Sequence, residues 1–288
     1  MTPMSGDWTG VVIVNDLHVG SIYGLLPPGF TASSGAVIGL TPGQEYLYNC
    51  LDHFSTWVRG FSRQICAVIV NGDAIDGAQS RQNGGEFSLP LFADQTTAAR
   101  QVLEFFLTTA GIDHIKRFFI QGTEYHDAGA GREMEVLAET LGGTPYGGLG
   151  TGRYSHEVLD RNINGVVLNV AHHIGGASGF YRATAADREA VFSALAGKEG
   201  KAPRADILAR AHRHHYVLVE HASKWAFISP CWQLQTRFMR KNSVYRMIPD
   251  IGGVVIWIDG AAHLADPTEG IYVQKKLYPL PPMIAENL

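Results

Sequence analysis

The sequence predicts a layered α/β (α+β) fold, and three features predict it. Short apolar runs suited to buried strands alternate with helical periodicity through the first half of the chain. An Asn164-Gly165 pair separates two strand-like segments. The last third repeats short β-patterned segments with little helix between them. At 288 residues the chain can bury roughly three quarters of its unfolded surface. It shows no internal repeat and no linker, so one domain over residues 1–288 is expected, with loop insertions near 20–43 and 77–90.

The elements follow in order. Val11-Val12-Ile13-Val14 reads as a buried strand, and a loop rich in Gly, Pro and Ser (Gly20 to Gly43) follows it. That loop is long for a connection inside a compact domain, which points to a flap or an insertion. Thr41-Pro42 marks a helix start, and Leu47, Cys50, Leu51, Phe54, Trp57, Val58 and Phe61 continue at helical spacing. A second strand, Ala67–Val70, ends in Asn71-Gly72-Asp73. The loop Gly77–Pro90 leads to a helix over Ala93–Ala110. A third strand is expected over Arg117–Gln121, and a short helix over Arg132–Leu141. Strands at His156–Asp160 and Val166–Val170 join through Asn-Gly, whose residues tolerate the positive φ of a tight hairpin. A helix over Thr184–Leu195 precedes strands at Asp206–Ala209, Tyr216–Glu220, Trp225–Ser229, Val254–Ile258 and Ile271–Lys275.

Composition narrows the function classes. Apolar residues make up 45% and charged residues 17%, which excludes wholesale disorder. The net charge of −4 argues against a passive nucleic-acid coat. Three scattered cysteines form neither a disulfide framework nor a CxxC zinc site. No apolar run reaches the roughly 18 residues of a membrane span, and no secretory signal is visible, so a cytoplasmic protein without a membrane partner is expected. The distinctive number is 12 histidines, unevenly placed.

Their placement follows a rule. Asp16-Leu17-His18 follows the first strand, Asp73 and Asp76 the second, and Thr123-Glu124-Tyr125-His126-Asp127 the third. His172-His173 and His212-Arg213-His214-His215 follow two later strands. Ligands of layered α/β proteins bind outside the carboxyl ends of the strands. Taken singly, each cluster has a plainer reading. Asp16 suits a cap, His18 a core histidine, Asp73 and Asp76-Gly77 turns, and His212 and His214 alternation on a strand. Taken together, those readings leave the shared strand-end position unexplained. His53, His114, His156, His215, His221 and His263 fit the pattern less well. Arg237, Arg240, Lys241 and Arg246 read as a solvated basic stretch.

Mixed carboxylate and imidazole donors suit divalent transition metals such as Mn, Zn, Fe, Co or Ni. Asp16, His18, Asp73, His172, His212 and His214 suffice for two ions if one carboxylate bridges, and Asp73, tight behind Gly72, is the bridging choice. Two such ions clamp the attacking and leaving oxygens of an in-line phosphoryl displacement and supply hydroxide as the nucleophile. A histidine beside them would protonate the leaving oxygen.

These residues resemble the ordered motifs of the calcineurin-like metallophosphoesterase superfamily: D-x-H, G-D-x-x-D, G-N-H-[DE], a lone H and G-H-x-H. Here they stand as Asp16-Leu17-His18, Gly72-Asp73-Ala74-Ile75-Asp76, a variant third block, His172 or His173, and Ala211-His212-Arg213-His214. The resemblance implies a four-layer αββα sandwich, two mixed β-sheets flanked by helices, with a dinuclear centre at the sheet edge. It assigns Asp16, His18, Asp73 and His214 to one ion, and Asp73, His212 and His172 (in preference to His173) to the other. The third block departs from the family, because Thr123 stands where an Asn ligand is expected. Glu124 or the Thr123 hydroxyl would fill that gap. His126, three residues on, would act as the proton donor or enter the coordination shell. The activity implied is hydrolysis of a phosphate ester, as a phosphatase or phosphodiesterase. The substrate expected is a small or nucleotide-like ester; the alternatives are a nuclease acting on DNA or RNA with the same centre, and a non-catalytic binding module.

Overall fold

The computed structural model describes residues 7–80, 83–127, 129, 131–146, 152–176, 181–243, 245 and 247–281. Two mixed sheets pack face to face with helices on both outer sides. The first sheet has the order β11-β10-β1-β2-β3-β4, and the second β5-β6-β7-β9-β8. The strands of the first sheet are β1 (Thr9–Val14), β2 (Ile65–Asn71), β3 (Lys116–Ile120), β4 (Ser155–His156), β10 (Ile251–Ile258) and β11 (Ile271–Tyr278). Those of the second are β5 (Val158–Ile163), β6 (Val166–Ala171), β7 (Ile207–Arg210), β8 (Val217–His221) and β9 (Lys224–Ile228). β1, β2, β3 and β4 run parallel, as do β6, β7 and β9. The hairpin of β5 and β6, the hairpin of β8 and β9, and the pairs β1–β10 and β10–β11 are antiparallel.

Strand alternation builds the layers. Val11 and Ile13 of β1, with Ile69 and Ile120, meet Leu168, Val170, Ile207 and Phe227 between the sheets. Val12 and Val14 point the other way, with Val68 and Val70. They pack under Leu47 and Phe54 of α1 (Pro42–Arg59) and Val102 and Phe106 of α2 (Phe92–Ala110). On the far side, Leu208, Ala226 and Ile228 are covered by Ala185, Ala186 and Ala190 of α4 (Thr184–Lys198). The remaining helices are α3 (Arg132–Thr140), α5 (Arg237–Ser243) and α6 (Gly260–Ala265).

Local chemistry explains several boundaries. Thr41 caps α1 in a full capping box with Gln44, and Pro42 occupies the first turn. Asn164 and Gly165 take φ of 53° and 93° at the turn between β5 and β6. The sequence placed one strand over His156–Asp160. The chain instead changes sheets at Glu157, ending β4 in the first sheet and starting β5 in the second. The loop after β1 is packed down: Leu25 and Leu26 are fully buried. Its backbone is tied to the second insertion, with Ser88 and Leu89 both donating to Gly20 O and Ile22 donating to Glu86 O. The basic stretch includes a helical turn, α5, which the sequence did not announce; Arg246 lies outside the described residues. No helix among the described residues is long and apolar enough to cross a membrane, and Cys50, Cys66 and Cys231 are free thiols.

Candidate metal centre

The carboxyl ends of β1, β2 and β3 in one sheet, and of β6 and β7 in the other, come together at one edge of the sandwich. Their following residues interlock. The backbone N–H of His212 donates to Asp16 Oδ2 at 3.2 Å, and His172 Nδ1 lies 2.7 Å from Asn71 O.

Backbone conformation marks the same residues. Eight non-glycine residues among those described have positive φ, and five of them are Asp16 (51°), His18 (44°), Asp73 (46°), His212 (70°) and His214 (55°). Each such conformation costs about 1 kcal/mol or more and persists only where the surroundings enforce it. Glycine makes the close approaches possible. A Cβ on Gly72 would lie 2.1 Å from His172 Nδ1, and one on Gly122 would lie 2.1 Å from Asp73 Oδ1.

The donors form groups. Asp16, His18 and His214 present ligand atoms within 4.8 Å of one another, and so do Asp73, His172 and His212. In the first group, His214 Nε2 lies 3.2 Å from both Asp16 Oδ1 and His18 Nε2. Two ligands about 2.1 Å from one ion are separated by roughly 3.0–3.4 Å, so these spacings suit a shared cation. Asp16 Oδ2 is occupied by the Asn15 side-chain amide and the His212 N–H, which leaves Oδ1 facing the imidazoles. In the second group, His172 Nε2 lies 3.0 Å from Asp73 Oδ2 and 3.9 Å from Asp16 Oδ1, so the two groups abut. Asp16 Oδ1 and His172 Nε2 are buried atoms without a hydrogen-bond partner among the described residues. Orphaned acceptors and imidazole nitrogens of this kind are expensive unless a cation meets them, so the residues fit divalent metal.

Charge distribution agrees. Burial opposes ionisation of Asp16, but the charges of His214 and His172 and the nearby rings of His18 and His214 hold its carboxyl well below the usual range. Burial likewise opposes ionisation of Asp73, and His172, His126 and His18 outweigh it, keeping Asp73 an anion. Burial disfavours charge on His18 and His172, yet their carboxylate partners push them up to about 10 and about 9. Burial and the neighbouring His172 push His212 down to about 4, which keeps its lone pair free at neutral pH. The centre thus concentrates negative charge that protons neutralise and that a divalent ion would neutralise instead.

The variant third block sits beside Asp73. Thr123 donates to Asp73 Oδ1 twice, from its backbone N–H at 2.7 Å and its hydroxyl at 3.1 Å. Glu124 is exposed and belongs to none of the ligand groups among the described residues. His126 belongs to a third group with His18 and Asp76. Its Nδ1 donates to Asp76 O at 2.6 Å, and its ring stands edge-on to His18 at 4.5 Å. Burial lowers the His126 pKa. His173 is exposed, with its ring 5.0 Å from that of His212.

Asp76 is the residue the sequence undervalued. A turn was the expected reading for Asp76-Gly77, yet the side chain is buried with Oδ1 3.2 Å from His18 Nδ1. Gln79 donates to its other oxygen. Asn15 and Asn71 also orient ligands, and neither carried a signal beyond lying next to one. His215 is buried, donates to Arg213 O at 2.9 Å and joins no ligand group among the described residues.

A cavity of about 840 Å³ opens over the centre and is lined by His18, Asp73, Thr123, His126, His212 and His214. Its further wall includes Arg182 and Arg213, Glu86, and the apolar side chains of α5 and the segment after it.

No family model matches the sequence, and no curated protein matches it. The chain is similar to several solved structures. One is an archaeal phosphodiesterase, at 7% identity over 94% of this chain and 100% of the other, with a TM-score of 0.40. Another is Vacuolar Protein Sorting 29 from Cryptosporidium parvum, at 11% identity over 94% and 98%, with a TM-score of 0.40. A third is a predicted phosphoesterase from Streptococcus pneumoniae, at 9% identity over 94% and 98%, with a TM-score of 0.36. What the centre can do follows from its own geometry.

Proposed function

We propose that this chain is a calcineurin-like metallophosphoesterase that hydrolyses a phosphate ester at a dinuclear metal centre. The observation that carries the reading is the abutment of two three-residue ligand groups, Asp16, His18 and His214 beside Asp73, His172 and His212, of which His18, Asp73, His212 and His214 line one cavity. Asp73 would bridge, since Thr123 fixes one of its oxygens and the other faces His172. Two divalent transition-metal ions held there would polarise a phosphoryl oxygen and supply hydroxide at neutral pH.

The chain's own residues do the rest. His172 Nδ1 is fixed on Asn71 O and His18 Nδ1 on Asp76, so each turns its Nε2 to the centre. His126, held through Nδ1 on Asp76 O and lining the cavity, is the proposed proton carrier. With its pKa lowered by burial, it starts neutral; it would take the proton that the water loses in becoming the nucleophile and give it to the leaving oxygen as the P–O bond breaks. Arg182 and Arg213 add positive charge to a cavity that must hold an anion. Glu124, exposed outside the groups, is a weaker ligand candidate than the Thr123 hydroxyl beside Asp73.

The test is reconstitution. Protein stripped of metal should be inert on bis(4-nitrophenyl) phosphate and recover turnover with Mn or Zn, while leaving single- and double-stranded DNA intact. Metal-dependent cutting of DNA would make it a nuclease instead. Full metal occupancy with no turnover on any ester would make it a binding module.

A further inference from the structure

The cavity over the centre has a second half that the metal chemistry does not use. Phe238 and Met239 of α5, with Met247 and Ile248 just after it, line the same space as His126 and Asp73. Phe238 is 48% exposed and Met247 is 37% exposed, so large apolar surface faces solvent beside a cluster of charged groups. Isolated exposed apolar residues need no explanation, but Phe238 and Met247, gathered with the half-buried Met239 and Ile248 on one wall of a polar cavity, do.

The wall is anchored. The backbone N–H of Arg237 donates to Oε1 of the buried Glu86 at 3.2 Å, which ties the start of α5 to the insertion after β2. Met239 N donates to Thr236 Oγ1 at 3.3 Å, and Met247 N to Ser243 O at 3.3 Å. Glu86 in turn receives Ile22 N on its carbonyl and donates its N–H to Gln79, whose amide holds Asp76. The start of α5 and the residue that orients His18 are therefore tied to the same hydrogen-bonded loop.

We infer that this wall is the specificity surface of the site, and that the substrate is a phosphate ester carrying a planar aromatic group, which packs on Phe238 and Met247 while the phosphate sits over Asp73. The inference rests on the phosphoesterase reading. A wall of Phe and Met suits a flat ring better than a sugar or a charged peptide, because ring faces pack on aromatic and thioether groups without unpaired polar atoms. Arg182 and Arg213, lining the cavity as well, suit the negative charge of its phosphoryl group.

The test uses the full chain loaded with Mn and two probes, phenylphosphonate and methylphosphonate, with dissociation constants from calorimetry. Burying roughly 60 Å² of ring surface corresponds to about tenfold tighter binding. Phenylphosphonate should therefore bind about tenfold tighter than methylphosphonate, and the ratio should fall below about threefold in Phe238→Ala/Met247→Ala. Phe238→Tyr should retain the preference. Equal binding of the two probes, binding of neither, or a ratio that survives the double substitution would overturn the inference. Turnover of bis(4-nitrophenyl) phosphate is scored separately. Ring-selective binding without turnover would sink the hydrolase reading and leave the wall standing, and turnover without ring selectivity would do the reverse.

Discussion

Asp76 Oδ1 stands 3.2 Å behind His18 Nδ1, on the side of the ring away from Asp16 and His214. A carboxylate in that place fixes the tautomer, so Nε2 carries the lone pair that faces the centre, and it raises the basicity of the ring. Losing such a partner commonly weakens metal affinity by about 10–100-fold. Asp76→Ala should weaken binding of the more loosely held ion by about that factor, measured by titration with Mn, and Asp76→Asn should lose less because its amide oxygen still accepts from Nδ1. Unchanged affinity in Asp76→Ala would show that His18 needs no such support.

Asp73 belongs to the second ligand group, where Thr123 donates to its Oδ1 and His172 Nε2 lies 3.0 Å from its Oδ2. Asp73→Asn removes the charge that two ions would share. The expected result is loss of turnover together with a drop in bound metal from about two ions per chain to one or fewer. Elemental analysis of purified protein reads the ratio directly, and a variant that keeps both ions would refute the bridging role.

His126 is assigned a proton, so its removal should matter most where the leaving oxygen needs one. His126→Ala should slow alkyl esters by about 10²–10⁴-fold and 4-nitrophenyl esters much less. Equal losses across leaving groups would instead place His126 in the coordination shell.

Asp127 provides a pH signature in the metal-free protein. Its Oδ1 accepts from Met134 N at the start of α3, and burial, opposed by that hydrogen bond and reinforced by the Asp73 charge, pushes its pKa up to about 6. The folded value lies above the unfolded one. The stability this group contributes is therefore complete below about pH 4 and lost as pH rises through about 6. Asp127→Asn keeps the acceptor and removes the charge. It should match the parent near pH 4 and exceed it above pH 7 by up to about 3 kcal/mol. Urea denaturation across that range checks the sign, and a variant less stable at pH 7.5 would contradict it.

The sequence made the strands legible because each is a short, dense apolar run, and the acids and histidines after β1, β2, β6 and β7 fell into place with them. What stayed hidden depends on direction rather than order. Asp76 and Glu124 both follow strands closely. One is buried against His18 and the other points to solvent, and spacing alone does not separate them. The change of sheet at Glu157 was hidden for a similar reason, since β4 and β5 share one run of strand-forming residues. α5 is seven residues long, too short for its period to show against the surrounding charges.

A dinuclear centre requires two ions that share Asp73. Crystals grown with Mn and measured at a wavelength where manganese scatters anomalously would locate them. Two peaks ~3.5–4 Å apart are expected, one among Asp16, His18 and His214, the other beside His172 and His212, with Asp73 touching both. A single peak, or peaks away from these side chains, would contradict the dinuclear centre.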